Sequence, residues 1–187
     1  MHSLIIFASG AGTNAAAIIA YFQQSGKAKV SLIVSNKADA GVLQIAKREE
    51  IPFLIINKQT LHETMLIEQL SDIKPSLIVL AGFMWKVPAA MVHAFPGKII
   101  NIHPALLPGY GGKGMYGHHV HNAVVSAKEK ESGITIHYVN EVYDDGNIIL
   151  QARCPVGEQD SADELAARIH KLEHFYYPRA IEFLLGA

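Results

Sequence analysis

The chain has 187 residues, half of them apolar and 18% charged, with a formal net charge of −1. This fits one domain, residues 1–187, with a full hydrophobic core. It gives no general electrostatic attraction to nucleic acid or an anionic membrane, and no stretch is apolar for long enough to span a bilayer. The single cysteine, Cys154, excludes an internal disulfide and fits a cytoplasmic location, and the N-terminal residues lack the basic start and long apolar run of a secretory leader.

Taken in chain order, apolar runs alternate with amphipathic stretches. Leu4 to Ala8 reads as a short buried strand. Asn14 to Gln24 reads as a helix whose apolar surface is Ala16, Ile18, Ile19 and Phe22, with Gly26 suited to its C-terminal end. Val30 to Val34 is the next strand, Val42 to Glu49 a helix, and Phe53 to Ile56 a strand introduced by Pro52. A helix over His62 to Asp72, a fully apolar strand over Leu77 to Ala81, a short helix over Pro88 to His93 and a strand over Ile99 to Asn101 follow. Buried strands separated by helices predict an α/β fold. Its sheet is doubly wound, mostly parallel and Rossmann-like, with helices on both faces. The pattern then changes. Gly133 to Val139 and Ile148 to Arg153 flank an Asp/Gly-rich turn and predict an antiparallel C-terminal pair. Ala162 to Leu185 predicts a long closing helix, capped by Asp160 or Ser161 and kinked or divided at Pro178.

Two segments carry chemistry. Ser9-Gly10-Ala11-Gly12-Thr13-Asn14 follows a strand and opens a helix, so its glycines allow close backbone approach and the helix start offers free N–H groups to an anion, read here as a phosphate. The spacing also loosely meets the dinucleotide fingerprint, but the second strand ends in Ser35-Asn36-Lys37 rather than in an acid. In Asn101-Ile102-His103-Pro104-Ala105-Leu106-Leu107-Pro108, an amide and an imidazole lie two residues apart at a strand end and so share a face. An amide that polarises a carbonyl beside a titratable ring suits acyl transfer. A carboxylate from Glu141-Val142-Tyr143-Asp144-Asp145-Gly146-Asn147 could meet His103, orient it and raise its pKa. Asp144 and Asp145 are equal candidates by periodicity.

Together these segments resemble the folate-dependent formyltransferase family, and within it the glycinamide ribonucleotide formyltransferases. The resemblance covers nearly the whole chain and is anchored on Ser9-Gly10-x-Gly12-Thr13-Asn14, Ser35-Asn36-Lys37-Ala38-Asp39-Ala40, the Asn101 to Pro108 motif, Asp144-x-Gly146 and Glu173-His174. It implies an enzyme that passes a formyl group from 10-formyltetrahydrofolate to the amine of glycinamide ribonucleotide in purine synthesis. The alternatives are another folate-dependent N-formyltransferase or a formyltetrahydrofolate hydrolase. It implies that Asn101, His103 and Asp144 are the catalytic trio, which settles Asp144 over Asp145. A protonated His103 would donate to the developing oxyanion. By the same resemblance Gly12, Thr13, Asn14 and Glu173 bind the amine substrate. Met84, Trp85, Lys86 and Val87, with Asn101 and with Val139, Asn140 and Glu141, bind the folate, and Thr135 supports the catalytic carboxylate network. Neither a metal, nor nucleic acid, nor a membrane is implied, and the protein is expected as a monomer or homodimer. His118, His119 and His121 lack an acid or cysteine at ligand spacing, so a glycine-rich loop over the substrate, with His119 or His121 near the ribose phosphate, is expected rather than a metal site.

Overall fold

A computed structural model describes residues 1–186. In chain order the elements are β1 (His2–Phe7), α1 (Thr13–Ser25), β2 (Ala28–Ser35), α2 (Gly41–Arg48), β3 (Phe53–Ile55), α3 (Thr64–Asp72) and β4 (Leu77–Leu80). They continue with α4 (Ala89–Ala94), β5 (Ile99–His103), α5 (His118–Ser126), β6 (Glu131–Tyr138), β7 (Ile148–Pro155) and α6 (Ala162–Gly186). One seven-stranded sheet has the order β3-β2-β1-β4-β5-β6-β7. Strands β1 to β5 pair in parallel, while β6 and β7 are antiparallel. This is the Rossmann-like architecture that the alternation of apolar runs predicts.

The layers follow from the two-residue period of a strand. In β1, Leu4 and Ile6 face the layer of α1, α2, α5 and α6, whereas Ile5 and Phe7 face that of α3 and α4. All four are fully buried, each burial contributing roughly 1.5–3 kcal/mol. Helix α1 forms because Ala15, Ile18, Ile19 and Phe22 recur at helical spacing and are buried, and it ends where Gly26, at φ 68°, turns left-handed and donates its N–H to the Phe22 carbonyl.

Several boundaries differ from the sequence expectation. The stretch from His62 to Asp72 is divided: a 3-10 turn over Thr60–His62 precedes α3, and Glu63 between them is extended. Helix α5 was not expected, because its approach is glycine-rich and its first turn is histidine-rich; Val120, His121 and Val124 form its buried face. Helix α6 runs unbroken through Pro178, since Tyr177, Ala180 and Ile181, all buried, hold the turns around that residue against the sheet. Its cap is Ser161, whose Oγ accepts the Glu164 N–H at 3.3 Å while Glu164 Oε2 accepts the Ser161 N–H at 2.8 Å. Asp160 instead binds Arg168 at 2.8 and 3.1 Å.

Tyr177 connects this helix to the site. Its hydroxyl donates to the Leu80 carbonyl at 2.9 Å and lies 3.4 Å from that of Ile100, at the C-terminal ends of β4 and β5. Burial drives its pKa well above the usual phenol value, so it stays a donor. Tyr177→Phe leaves a buried carbonyl without its donor and is expected to lower stability by about 1–2 kcal/mol while largely sparing turnover; urea denaturation reads the first effect and a rate assay the second.

Candidate active site

From β1 the chain winds one way to β2 and β3, and from β4 the other way to β5. The loops after β1 and β4 therefore part, opening a crevice at the carboxyl ends of the strands. Ser9 joins the two loops, its N–H donating to the Gly82 carbonyl at 3.0 Å and its Oγ accepting the Met84 N–H at 2.9 Å. The crevice is a cavity of about 710 Å³. One end lies over α1, α5 and α6, with Gly10 to Asn14, Lys37, His121, His170 and Glu173 in its wall. The other end is walled by Phe83, Trp85, Val87 and Val139, which belong to the core layer of α3 and α4.

At the first end, α1 opens without a side-chain cap and without an acid in its first turn, leaving its N–H groups to the cavity. Gly12 sits at φ 79°, and a Cβ there would come 2.7 Å from the Val42 side chain, so both conformation and space require glycine. Asn14 Nδ2 donates to Glu173 Oε2 at 2.9 Å, tying α6 to the loop. Burial pushes the Glu173 carboxyl above its usual pKa, offset in part by Asn14 and His170.

Asn101, His103 and Asp144 meet where the layers join. His103 Nδ1 lies 3.6 Å from Asp144 Oδ2, and Asn101 Nδ2 lies 3.5 Å from Asp144 Oδ1. His103 Nε2 donates to the Tyr110 carbonyl at 2.7 Å, and Asp144 Oδ2 accepts the Gly112 N–H at 2.9 Å. Asp144 is left-handed at φ 53°, a conformation that Asp tolerates, and this turns its carboxylate inward. Asp145 is exposed and accepts from Asn140 Nδ2 at 3.2 Å. Burial opposes ionisation of Asp144, but His137, His103 and the Gly112 N–H outweigh it and hold the carboxyl below its usual value.

One expectation about His103 is reversed. Asp144 does favour the imidazolium, as does the Tyr110 carbonyl, but burial opposes it more strongly and His137 adds to that, so the pKa falls below the usual imidazole value. The ring is 3% exposed and not hydrogen-bonded to the carboxylate. It is therefore neutral at pH 7, with its proton on Nε2.

His137 is a fourth member that the motif does not reveal. Its Nδ1 lies 2.8 Å from the Tyr138 carbonyl, and its Nε2 lies 3.1 Å from Asn101 Nδ2 and 3.7 Å from Asp144 Oδ1. The signal was present in the strand register: β5 and β6 place Asn101 opposite His137 and His103 opposite Thr135.

The other expected site residues divide. Gly12, Thr13, Asn14, Glu173, Met84, Trp85, Lys86, Val87, Val139 and Asn140 all border the cavity. The Glu141 side chain does not. It is exposed, and its Oε1 lies 2.7 Å from His93 Nε2 of α4, outside the cavity wall. Thr135 does not touch the carboxylate. Its Oγ1 donates to the Ala105 carbonyl at 2.7 Å and accepts from Leu107 N–H and Gln151 Nε2 at 3.0 and 2.9 Å. It thereby fixes the proline-bounded segment after His103 instead.

A model of the formyl transferase family matches residues 2–181. The chain is similar to phosphoribosylglycinamide formyltransferase of Bacillus subtilis (strain 168), with 38% identity covering 100% of this chain and 96% of that protein. It is 38% identical to the chloroplastic phosphoribosylglycinamide formyltransferase of Vigna unguiculata over 97% of its own length, but spans only 60% of that longer protein. Of solved structures, phosphoribosylglycinamide formyltransferase from Anaplasma phagocytophilum superposes with a TM-score of 0.90 at 34% identity, covering 98% of this chain and 86% of that one.

Proposed function

The chain belongs to the formyl transferase family, and we propose that it moves a formyl group from 10-formyltetrahydrofolate to the primary amine of glycinamide ribonucleotide, a step of purine synthesis. The observation that carries this reading is the convergence of Asn101 and His103, at 3.5 and 3.6 Å, on the Asp144 carboxylate, in one cavity that receives the uncapped start of α1 at one end and is apolar at the other. The ribonucleotide phosphate suits the N–H groups of the α1 start. The flat folate heterocycle suits the apolar end, where Met84 to Val87 run as irregular backbone whose N–H and C=O groups can meet its polar edge.

The amine lone pair forms a bond to the formyl carbon, and the carbonyl electron pair moves to oxygen, giving a tetrahedral intermediate. Asn101 Nδ2–H and His103 Nε2–H are the donors for that oxyanion. In the structure both are occupied, by His137 and by the Tyr110 carbonyl. A charged oxyanion is a stronger acceptor than either, and competes for both protons as charge develops. The negative Asp144 accepts, through water, the proton that the attacking nitrogen loses, and returns it to the folate nitrogen as the bond from carbon to that nitrogen breaks. Holding both reactants in one cavity supplies the entropic part of the acceleration.

The test is formyl transfer followed by the absorbance of the deformylated folate, with and without glycinamide ribonucleotide. Product formation that requires the ribonucleotide is expected. Equal release without any amine would replace this reading by folate hydrolysis, and no release in either case would remove it.

A further inference from the structure

Among the described residues, His121 is a buried titratable group of the cavity that the mechanism leaves unused. His121, on α5, is 4% exposed, borders the cavity, and has an Nδ1 without a hydrogen-bond partner among the described residues. Leaving a buried ring nitrogen unpaired costs free energy that a core histidine would ordinarily recover from a neighbour. Its place is also informative, because the same end of the cavity receives the uncapped start of α1.

Charge counting gives that nitrogen a use. A phosphate monoester brings about two negative charges near neutral pH, whereas a helix start supplies roughly half a positive one. None of the cavity-lining residues among those described is an arginine; of the lysines in the wall, Lys86 lies over the Tyr143 ring at 5.7 Å, Lys113 is on the glycine-rich loop before α5, and Lys37 follows β2. Glu173, at the same end, adds a carboxyl of the wrong sign. Further cationic capacity lies in imidazoles: His121, which is buried, and His170 one turn before Glu173 on α6. His118 is held by Asp163 at 3.3 Å, and His174 stacks on His170 with ring centroids 6.2 Å apart. His103 is committed to the trio.

We propose that His121 is the proton-accepting group of the phosphate end, with His170 beside it in the wall, so that a phosphate-ester dianion enters together with a proton that His121 keeps. The identification of the ester with the amine substrate rests on the functional reading above; the proton-linked anion site itself does not. Without a ligand, burial, with His170, His118 and His103 nearby, lowers the His121 pKa to about 4, so the ring is neutral at pH 7 and free to accept. An adjacent dianion favours the imidazolium, which raises that value in the bound state.

Ribose 5-phosphate is the probe, since it carries the ester without an amine. Calorimetric titration at about pH 7.5, where the ester is already a dianion because its second pKa is near 6, is run in buffers of different ionisation enthalpy. Net proton uptake on binding is expected. His121→Gln abolishes most of that uptake and weakens binding roughly tenfold, and His170→Gln weakens it by a smaller factor. In the unaltered protein, the His121 imidazole followed by nitrogen NMR should titrate near neutrality once ribose 5-phosphate is bound; this arm needs no variant and is insensitive to a folding defect. Absence of binding, binding without proton uptake, or an unmoved His121 titration overturns the inference. Formyl transfer with no uptake would remove it and leave the functional reading standing, and uptake with no formyl transfer would do the reverse.

Discussion

His103→Ala is expected to lower kcat by about 10²–10³ while leaving the KM values for both substrates within a few-fold of the original. The ring supplies one of two N–H donors to the oxyanion and contributes little to ground-state binding, so its loss falls on the transition state. The fold should survive. The ring lies beside a cavity of about 710 Å³ that water can enter, and its replacement leaves only the Tyr110 carbonyl, 2.7 Å away, in need of a donor. Single-turnover measurements isolate the chemical step, and a thermal melt checks folding. Near-normal formyl transfer would remove His103 from the mechanism. The neutrality of the ring sharpens the expectation. A neutral Nε2–H donor does not disappear as pH rises from 6 to 8, so the rate should show no alkaline fall over that range attributable to His103.

Much of the fold was legible because its signals are local. The four apolar residues of β1, the glycine loop and the helical spacing of Ile18, Ile19 and Phe22 each report one element through its own period, although Ala15 and not the expected Ala16 completes the buried face of α1. The Asn101 to Pro108 motif is equally local, since a strand puts residues two apart on one face. What escaped depends on distant parts of the chain. His137 enters through the antiparallel register of β5 and β6, which no window of sequence contains. The choice between Asp144 and Asp145 turns on one left-handed φ. Glu141 and Thr135 were near the site in sequence, but their partners, His93 and the carbonyl of Ala105, are set by packing. The pKa of His103 had the wrong expected sign because a motif shows the attracting charge and not the depth of burial. Helix α5 escaped for a further reason: its apolar face is only Val120 and Val124 with a histidine between, and such a short stripe after a glycine-rich approach carries little periodicity.

Asp144→Asn separates charge from shape. Asn tolerates the left-handed backbone at φ 53° and nearly matches the carboxylate in size, so the loop and the Gly112 N–H contact should persist. The variant loses the negative charge that opposes burial at His103 and the group that relays the amine proton. Without that relay the tetrahedral intermediate keeps its extra proton longer, while the neutral His103 Nε2–H remains in place as a donor. A fall in kcat of about 10²–10⁴ follows from the loss of positioned acid–base catalysis. The ionisation state makes the comparison clean. The pKa of Asp144 lies below the usual carboxylate value, so the wild-type residue is charged throughout the neutral range and differs from the variant there by a full charge. Asp145→Asn serves as the control, because that side chain is exposed and accepts a hydrogen bond from Asn140, away from His103. Its rate should stay within about two-fold, the range expected of a surface substitution away from the chemistry. Equal losses in the two variants would mean that the effect comes from the conformation of the turn and not from the carboxylate facing His103. A loss at Asp144 alone assigns it to that carboxylate.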